Sequence, residues 1–198
     1  MTVCRKRFGP FRALGLWRNV RGVAAVEFSL ILPVALLIMG LVVYGGQIYR
    51  VQRKVTLSAA TVADLVAQAN NNGSATITAA ELNQILSYPN LILYPNDATG
   101  VQVVASQLSI SVGPSGAATG TVVGSWANAN GAPRPIGQQM SVDPDVAEAF
   151  TGASSSYVIL GEVQYPSQPY GRYFPLGLVM LHDSIMMIPR TAAEITVQ

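Results

Sequence analysis

The sequence predicts an α+β protein: a long N-terminal transmembrane helix continues into an amphipathic helix that is packed on a small antiparallel sheet. Three observations lead to this class. Residues 28–49 form an apolar run of 22 residues without a charge. Residues 51–69 then carry apolar side chains at helical spacing. From residue 101 onward, short stretches rich in β-branched residues alternate with turns rich in Gly and Pro, which is typical of strands.

The uncharged run is long enough to cross a membrane. At a rise of 1.5 Å per residue it spans about 33 Å, and the hydrocarbon core of a bilayer is about 30 Å thick. A cleaved secretory signal has an apolar region of only about 7–15 residues. The run therefore predicts a membrane anchor rather than an ordinary signal peptide.

The charges on either side of the run predict its direction. Six basic residues and no acidic residue lie in residues 1–21, whereas three basic residues follow the run closely, Arg50, Arg53 and Lys54. The larger basic cluster is expected to stay in the cytoplasm. We therefore expect four regions: a basic cytoplasmic leader (1–22), a transmembrane helix (23–49), an amphipathic helix extension (50–70) and an exported α+β domain (71–198).

Composition excludes some classes of function. Hydrophobic residues make up 50% of the chain and charged residues 11%, with a mean hydropathy of +0.36. From residue 55 onward there are three basic and nine acidic residues, a net charge of −6 that argues against nucleic-acid binding. Cys4 is the only cysteine, so the exported domain must fold without an intrachain disulfide.

Glu27 stands at the start of the apolar run, where a carboxylate is costly. An ionised side chain within a membrane helix costs roughly 2.5–3.5 kcal/mol on insertion scales. Two interpretations are open from the residue alone. Either Glu27 is an edge carboxylate that reaches the interface or is protonated, or it is paired with a positive charge that offsets the cost.

The residues around Glu27 have a recognisable order. Gly22 closes the basic leader, four small or apolar residues follow, and then come Glu27, Phe28 and an apolar helix containing Pro33. This segment resembles the TadE-like pseudopilins of the tight-adherence (Tad/Flp) pilus system, whose helices read G-A-x-A-V-E-F-A-L-x-L-P. Val23 and Ser29 are the two mild departures from that pattern.

The resemblance implies a function and a set of site residues. A prepilin peptidase would cut between Gly22 and Val23, and Glu27 and Phe28 would govern processing or helix docking, with the Glu27 carboxylate neutralising the N-terminal amine of a neighbouring subunit. The chain would be a minor pseudopilin or pilus assembly protein with pilin-like architecture. It would lie in the bacterial inner membrane with a periplasmic C-terminal domain, beside other pseudopilins, pilins and Tad assembly-platform proteins. Whether it ends in the fibre or in the basal machine stays open.

The exported domain is predicted element by element. One helical stripe follows the membrane run, at Val51, Val55, Ala59, Val62, Val66 and Ala69, and residues 70–74 break that helix. Thr78 and Glu81 form a capping box for a short helix over residues 79–87. Strands are predicted at 101–112, 121–126, 156–165, 180–190 and 191–197, the last of which is alternatively irregular. A hairpin connection (113–120), two loops (127–137 and 166–175) and a helical turn (143–149) lie between them.

Two C-terminal patterns add to the resemblance more weakly. TadE-like proteins often carry a V-x-Y element, a Tyr/Phe-Pro-Leu element and a late strand that ends near an arginine. Here these correspond to Val163-Gln164-Tyr165, Tyr173-Phe174-Pro175-Leu176 and Met187-Ile188-Pro189-Arg190. Taken alone, Tyr165, Tyr173 and Phe174 are better explained by core packing or loop anchoring.

The sequence contains no pattern that predicts an enzyme, a cofactor or a metal site. His182 is the only histidine, and its neighbours Asp183 and Ser184 point to alternate faces of a strand, so they do not build a catalytic triad. An acidic cluster at 143–148 would suit calcium, but a solvated helix start explains it equally well. The alternative function is an unprocessed single-pass anchor that keeps residues 1–22 and whose exported β domain binds a ligand or partner.

Overall fold

We describe residues 22–69, 75–113, 118–142, 157–168, 177–190 and 194–198 of a computed structural model. The leader, the break at 70–74, the predicted turn at 143–149 and the Tyr173–Leu176 element lie outside the described residues. The elements along the chain are two helices and seven strands: α1 (Val23–Ala67), β1 (Thr76–Ile77), α2 (Ala79–Leu93), β2 (Gln102–Val112), β3 (Ala118–Ala127), β4 (Gln139–Ser141), β5 (Tyr157–Ser167), β6 (Val179–Met187) and β7 (Thr196–Val197).

The chain divides into two units, and the boundary falls between Gly45 and Gly46 inside α1. The first unit contributes residues 22–45 of the described chain. Apart from Glu27 and Ser29 its side chains are apolar, and all of its residues except the half-buried Tyr44 are exposed. The second unit begins at Gly46 and contains the rest of α1, the second helix and all the strands.

The main sheet has five strands in the order β4-β3-β2-β5-β6, and every neighbouring pair is antiparallel. The predicted α+β class with an antiparallel sheet is therefore confirmed. The sequence patterns missed β4 and also β1, which pairs in parallel with β7. They also placed the start of β3 too late, since the strand begins at Ala118 and shortens the predicted hairpin connection.

The predicted stripe on α1 is the side of the helix that faces the sheet. All six predicted positions are buried: Val51, Val55, Ala59, Val62, Val66 and Ala69. They share one core cluster with side chains from three strands, among them Val103, Val163 and Leu181. This confirms the amphipathic helix packed on its own sheet. The helix ends at Ala67, three residues before the predicted limit.

The helix touches β5 most closely at a glycine. A Cβ atom built on Gly161 would lie 2.6 Å from the carbonyl oxygen of Ala59 and 2.9 Å from the Cβ of Ala63. Separations below about 3 Å are not tolerated between such atoms, so only glycine fits here. The neighbouring helix residue Ser58 is also fully buried, and its hydroxyl donates to the Lys54 carbonyl at 2.8 Å. Small residues on the helix and glycine on the strand together permit this approach.

The second helix has the predicted start but a different end. The Thr78 hydroxyl accepts from the Glu81 amide at 3.2 Å, and the Glu81 carboxylate accepts from the Thr78 amide at 3.0 Å, so the predicted capping box is confirmed. The Glu81 carboxylate also accepts from the Thr78 hydroxyl at 2.8 Å. The hydrogen bond from the Thr78 amide and, to a lesser extent, that from the Thr78 hydroxyl hold the pKa of Glu81 below its usual value. The predicted end at 87 is wrong, because α2 continues through Pro89 to Leu93.

Burial explains why a proline does not stop this helix. Pro89 and Leu93 are both buried on the same stripe as Leu82 and Leu86. A proline within a helix costs about 3 kcal/mol, and burial of a leucine side chain returns roughly 1.5–3 kcal/mol. A second contact acts at the same end, where the Lys54 ammonium group donates to the carbonyl oxygens of Tyr94 at 2.6 Å and Leu93 at 3.4 Å. A cation at a helix C-terminus satisfies carbonyls that have no partner within the helix.

The two faces of the sheet carry different surfaces. Because side chains alternate along a strand, Ile159 belongs to the core beneath α1, whereas Val158 and Leu160 belong to a second apolar cluster on the far face. Leu108 and Val122 complete the centre of that second cluster. The rest of the far face is polar and carries the side chains of Arg134, Glu162 and His182.

The N- and C-terminal parts of the domain meet at the small parallel sheet. Thr76 lies opposite Thr196 in its register, and the Ala79 amide donates to the Gln198 carbonyl at 2.9 Å. The first turn of α2 thus donates a hydrogen bond to the C-terminal strand region of the domain. Gln107 adds a further link, since its side-chain carbonyl accepts from the Ile195 amide at 3.2 Å.

Tyr165, one of the residues in the C-terminal resemblance, is a core residue. Its side chain is 5% exposed, and its hydroxyl donates to the Asp97 carbonyl at 2.7 Å. Burial, aided by the nearby negative charge of Asp97, raises the pKa of the Tyr165 hydroxyl. The neutral hydroxyl is therefore the form that the folded state stabilises.

We predict that Gly161→Ala destabilises the domain because the new methyl group must displace the backbone of α1. Overpacking of this kind costs about 1–3 kcal/mol, which corresponds to a melting temperature lower by roughly 2–12 °C. The measurement is thermal unfolding of the full chain in detergent. The matched control is Gly124→Ala, where the added Cβ meets only the ring of Trp126, at 3.0 Å. Equal losses in the two variants would contradict a backbone constraint at Gly161.

We predict that the folded domain becomes less stable at alkaline pH because the buried Tyr165 hydroxyl ionises there. Its pKa in the folded protein is raised above that of the unfolded chain, which is about 10. The stabilisation is therefore complete below about pH 10 and is lost as the pH rises through the folded pKa. Tyr165→Phe should cost about 1 kcal/mol near neutral pH and flatten the alkaline decline. The midpoint of denaturant unfolding, measured at several pH values on both sides of pH 10, tests this prediction. Tyr94→Phe, at an exposed position, is the control and should show the same alkaline loss of stability as the unaltered protein.

Candidate functional site

The four predicted site residues lie together at the start of α1. Gly22 immediately precedes the helix, Val23 is its first residue, and Glu27 and Phe28 follow one turn later. All four are exposed, with Phe28 at 64% and Val23 at 52%. Residues four apart on a helix share a face, so Glu27 lies on the same side of the helix as Val23. The side chain of Glu27 also leans toward the N-terminus, as helical side chains do.

The polar groups in this segment differ in how they are satisfied. The Ser29 hydroxyl donates to the Val26 carbonyl at 2.8 Å, so this departure from the family pattern adds no unsatisfied donor to an apolar helix. Among the described residues, Glu27 makes neither an ion pair nor a hydrogen bond. Its carboxylate is therefore available to a group from outside the described chain.

The surface around Glu27 is apolar on every side of the helix. Fifteen large apolar side chains are 40–69% exposed: Val23, Val26, Phe28, Leu30, Ile31, Leu32, Val34, Leu36, Leu37, Ile38, Met39, Leu41, Val42, Val43 and Tyr49. Soluble proteins rarely expose contiguous apolar patches larger than a few hundred Å². By length and composition, α1 is the one candidate membrane span in the described part of the chain. Its exposed apolar surface is what an anchor in a bilayer requires.

The residues around His182 do not form a catalytic arrangement. Asp183 accepts a hydrogen bond from the Thr56 hydroxyl on the α1 side of the sheet, whereas His182 and Ser184 are exposed. The His182 ring lies 3.9 Å from the Glu162 carboxylate on the other side. Within the described ranges, no group of three or more His, Cys, Asp or Glu side chains is placed to hold a metal ion. The acidic cluster Asp143, Asp145 and Glu148 lies outside those ranges.

An ion pair on the far face was not anticipated from the sequence. The Arg134 guanidinium donates two hydrogen bonds to the Glu162 carboxylate, both at 2.7 Å. These bonds raise the pKa of Arg134 against the opposing effect of partial burial. The Arg134 amide also donates to the Ser125 hydroxyl at 2.8 Å, which fixes the loop to β3. The only sequence signal was a single arginine in an otherwise uncharged loop, and its partner is distant along the chain.

The described part of the folded domain carries two open grooves. One, of about 330 Å³, is lined by the Arg134–Glu162 pair and by glutamine and proline side chains. The other, of about 540 Å³, is lined by α2 and by asparagine-rich loops. The Asn128 amide in the second groove is already occupied, since it accepts from Val103 and Gly131 and donates to the Val101 carbonyl. Sites for small ligands are mostly apolar, and these polar grooves do not resemble them.

The described residues thus combine one helix that is long and apolar enough to cross a membrane with an α+β domain. Residues 22–64 match the family model described as TadE-like protein. The match begins at Gly22 and includes the uncharged run and the close contact at Ala59 and Ala63. It confirms, over that segment, the resemblance found in the sequence. No curated protein matches the chain, and no solved structure matches it.

Proposed function

We propose that this protein is a minor pseudopilin of a Tad-type pilus machine, held in the inner membrane with its N-terminus in the cytoplasm and its folded domain in the periplasm. The observation that carries the proposal is that the TadE-like segment and helix α1 begin at adjacent residues. The TadE-like match begins at Gly22, and α1 begins at the next residue, Val23. A leader that ends just before the helix is what a peptidase acting at the membrane surface requires.

Cleavage would create the partner that Glu27 lacks. Hydrolysis of the Gly22–Val23 peptide bond leaves an α-amino group on Val23, which is largely protonated at neutral pH because its pKa is about 7.7–8.0. Attraction between unit charges is much stronger at low dielectric than in water. A pair formed between Glu27 of one subunit and the amine of its neighbour would offset the cost of both charges. Such a pair fixes the axial position of one helix against the next.

We propose that the protein is a substrate and structural component rather than an enzyme. The exposed apolar helix supplies a surface for other membrane helices, and the acidic character of the domain does not suit nucleic acid. Its partners would be the prepilin peptidase, other pseudopilins and pilins, and the assembly-platform proteins of the Tad system. Support for this part comes from the TadE-like segment and the apolar surface of α1.

A second function has one observation in its favour. The two polar grooves leave room for a hydrophilic ligand or a partner loop on the exported domain. In that case the chain would be an unprocessed single-pass anchor that retains residues 1–22. The N-terminus of the mature protein distinguishes the two functions.

We predict that the protein isolated from its native membrane begins at Val23 when the prepilin peptidase is present and keeps its leader when the peptidase is absent. Intact mass and N-terminal sequencing measure this directly. Gly22→Leu is the matched variant, because no atom lies within 4 Å of a Cβ built at Gly22 and the described fold is therefore undisturbed. It should keep the leader in both backgrounds. A leader retained by the unaltered chain in both backgrounds would favour the second function.

We predict that Glu27→Ala inserts into the membrane normally but is lost from the pilus machine. Recovery with pilus components should fall by more than about tenfold, because an unpaired charge in a membrane helix costs roughly 2.5–3.5 kcal/mol. Co-purification from detergent extracts measures it. Ser29→Ala is the control, since its hydroxyl is satisfied within its own helix and its loss should leave recovery unchanged. Normal assembly of the Glu27→Ala variant would contradict a role of Glu27 in helix docking.

A further inference from the structure

Two large side chains at the end of α2 are unusually exposed for a folded domain. Leu91 is 72% exposed and Tyr94 is 77% exposed, although the opposite side of the same helix is buried. Scattered exposed apolar residues need no explanation. These two, however, lie within one turn of each other, at the end of α2 to which the Lys54 ammonium group donates hydrogen bonds.

Lys54 connects this end of α2 to α1. Its ammonium group donates to the Tyr94 carbonyl at 2.6 Å, so Tyr94 lies within one side chain's length of α1. Arg50 is one turn before Lys54 on the same face, and Arg53 is its neighbour in the chain. Both arginines are exposed, and neither makes an ion pair or hydrogen bond with another described residue. We call these five residues the basic corner: Arg50, Arg53, Lys54, Leu91 and Tyr94.

The basic corner lies at the depth of lipid headgroups if residues 28–49 span the hydrocarbon. Lys54 follows Tyr49 by five residues, a rise of about 7.5 Å along the helix. The polar layer of each leaflet is about 5–8 Å thick, which is half the difference between the thickness of the full bilayer and that of its apolar core. Tyr49 itself is 65% exposed. The two arginines and Lys54 thus follow the uncharged run directly in the chain. The hydrogen bonds of Lys54 place the end of α2 beside them.

We propose that the basic corner binds the headgroup surface of an anionic bilayer and gives the exported domain a second membrane contact besides its helix. Each Lys or Arg near an anionic surface contributes about 1 kcal/mol of attraction. Tyrosine prefers the interface because its ring is apolar and its hydroxyl is polar. The remainder of the domain is acidic and is repelled by the same surface, so the charge distribution selects the corner as the side that faces lipid.

Charge also favours lipid over a second copy of the chain. A two-fold symmetric contact through this surface would bring the arginines of both copies together, and like charges at close range are destabilising. The nearest acidic side chain along the chain from Tyr94 is Asp97. Hydrogen bonds from the Thr99 hydroxyl and, to a lesser extent, from the Thr99 amide hold the pKa of Asp97 below its usual value, so its carboxylate is ionised. Within the described residues, however, Asp97 forms no ion pair with Arg50, Arg53 or Lys54.

The inference rests on the membrane-anchor part of the proposed function and is independent of cleavage or pilus assembly. The test uses the full chain with Cys4→Ser, reconstituted in vesicles of phosphatidylcholine alone or mixed with phosphatidylglycerol. Spin labels are attached to Leu91→Cys or Tyr94→Cys, both at exposed positions that tolerate substitution. Their relative accessibility to dioxygen and to a water-soluble nickel chelate reports immersion. Ile136→Cys, on a residue 77% exposed elsewhere on the domain, is the matched control, and Leu36→Cys reports the anchor.

We expect labels at 91 and 94 to favour dioxygen in the anionic vesicles, while the label at 136 favours the nickel chelate. Changing Arg50 and Arg53 to glutamine should lower the immersed-to-exposed ratio at 91 and 94 by about tenfold or more, because two attractions are removed. Water-exposed labels at 91 and 94 with an immersed label at 36 would overturn the proposal and leave the anchor intact. A label at 36 that stays in water would overturn the anchor as well.

Two further results would also overturn the proposal. Equal immersion in neutral vesicles, unchanged by the arginine substitutions, would show that anionic lipid is not what the corner recognises. Magnetic broadening between labels at 91 on different molecules would show that a second copy of the chain covers the corner instead of lipid.

Discussion

The close approach of α1 to β5 is the contact on which the rest of the folded domain depends. With no side chain on Gly161 and only methyl groups on Ala59 and Ala63, the helix backbone lies almost directly on the strand. Because the backbones lie so close, the short valine side chains of the helix reach the strands and pack against their larger core residues, such as Ile159 and Leu181. It also brings Thr56 within reach of Asp183 on one flank of the helix and Lys54 within reach of the end of α2 on the other.

One helix meets two different requirements along its length. Near its start, large apolar side chains are exposed on every side of the helix, as a membrane span requires. Beyond Gly46 only one side is buried, and that side is built from valine, alanine and serine. The change from bulky to small residues coincides with the change from an exposed apolar surface to a packed one. The TadE-like match covers both parts, which suggests that the anchor and the packing surface form one functional segment.

Sequence reasoning succeeded where a signal is local. The stripe from Val51 to Ala69 and the capping box at Thr78 depend on residues within a few positions of each other, and both were predicted. The end of α2 was predicted wrongly because proline usually stops a helix, whereas here burial of Leu93 outweighs that tendency. The Arg134–Glu162 pair, the short strand β4 and the glycine contact depend on residues far apart in the chain, so no periodicity reveals them. The positions of Gly22, Val23, Glu27 and Phe28 were found from a motif, and their roles remain predictions.

The pairing of β1 with β7 has a consequence for how the domain is made. A ribosome delivers the chain from its N-terminus, so α1 and the first turn of α2 emerge long before the strand that completes them. Contacts between distant segments form slowly because a long loop must close first. Until the last strand arrives, the valine stripe of α1 has no complete sheet to cover it. The nascent chain therefore passes through a period in which its first helix is complete while its folded domain is not, and during that period the valine stripe is not covered by its own sheet.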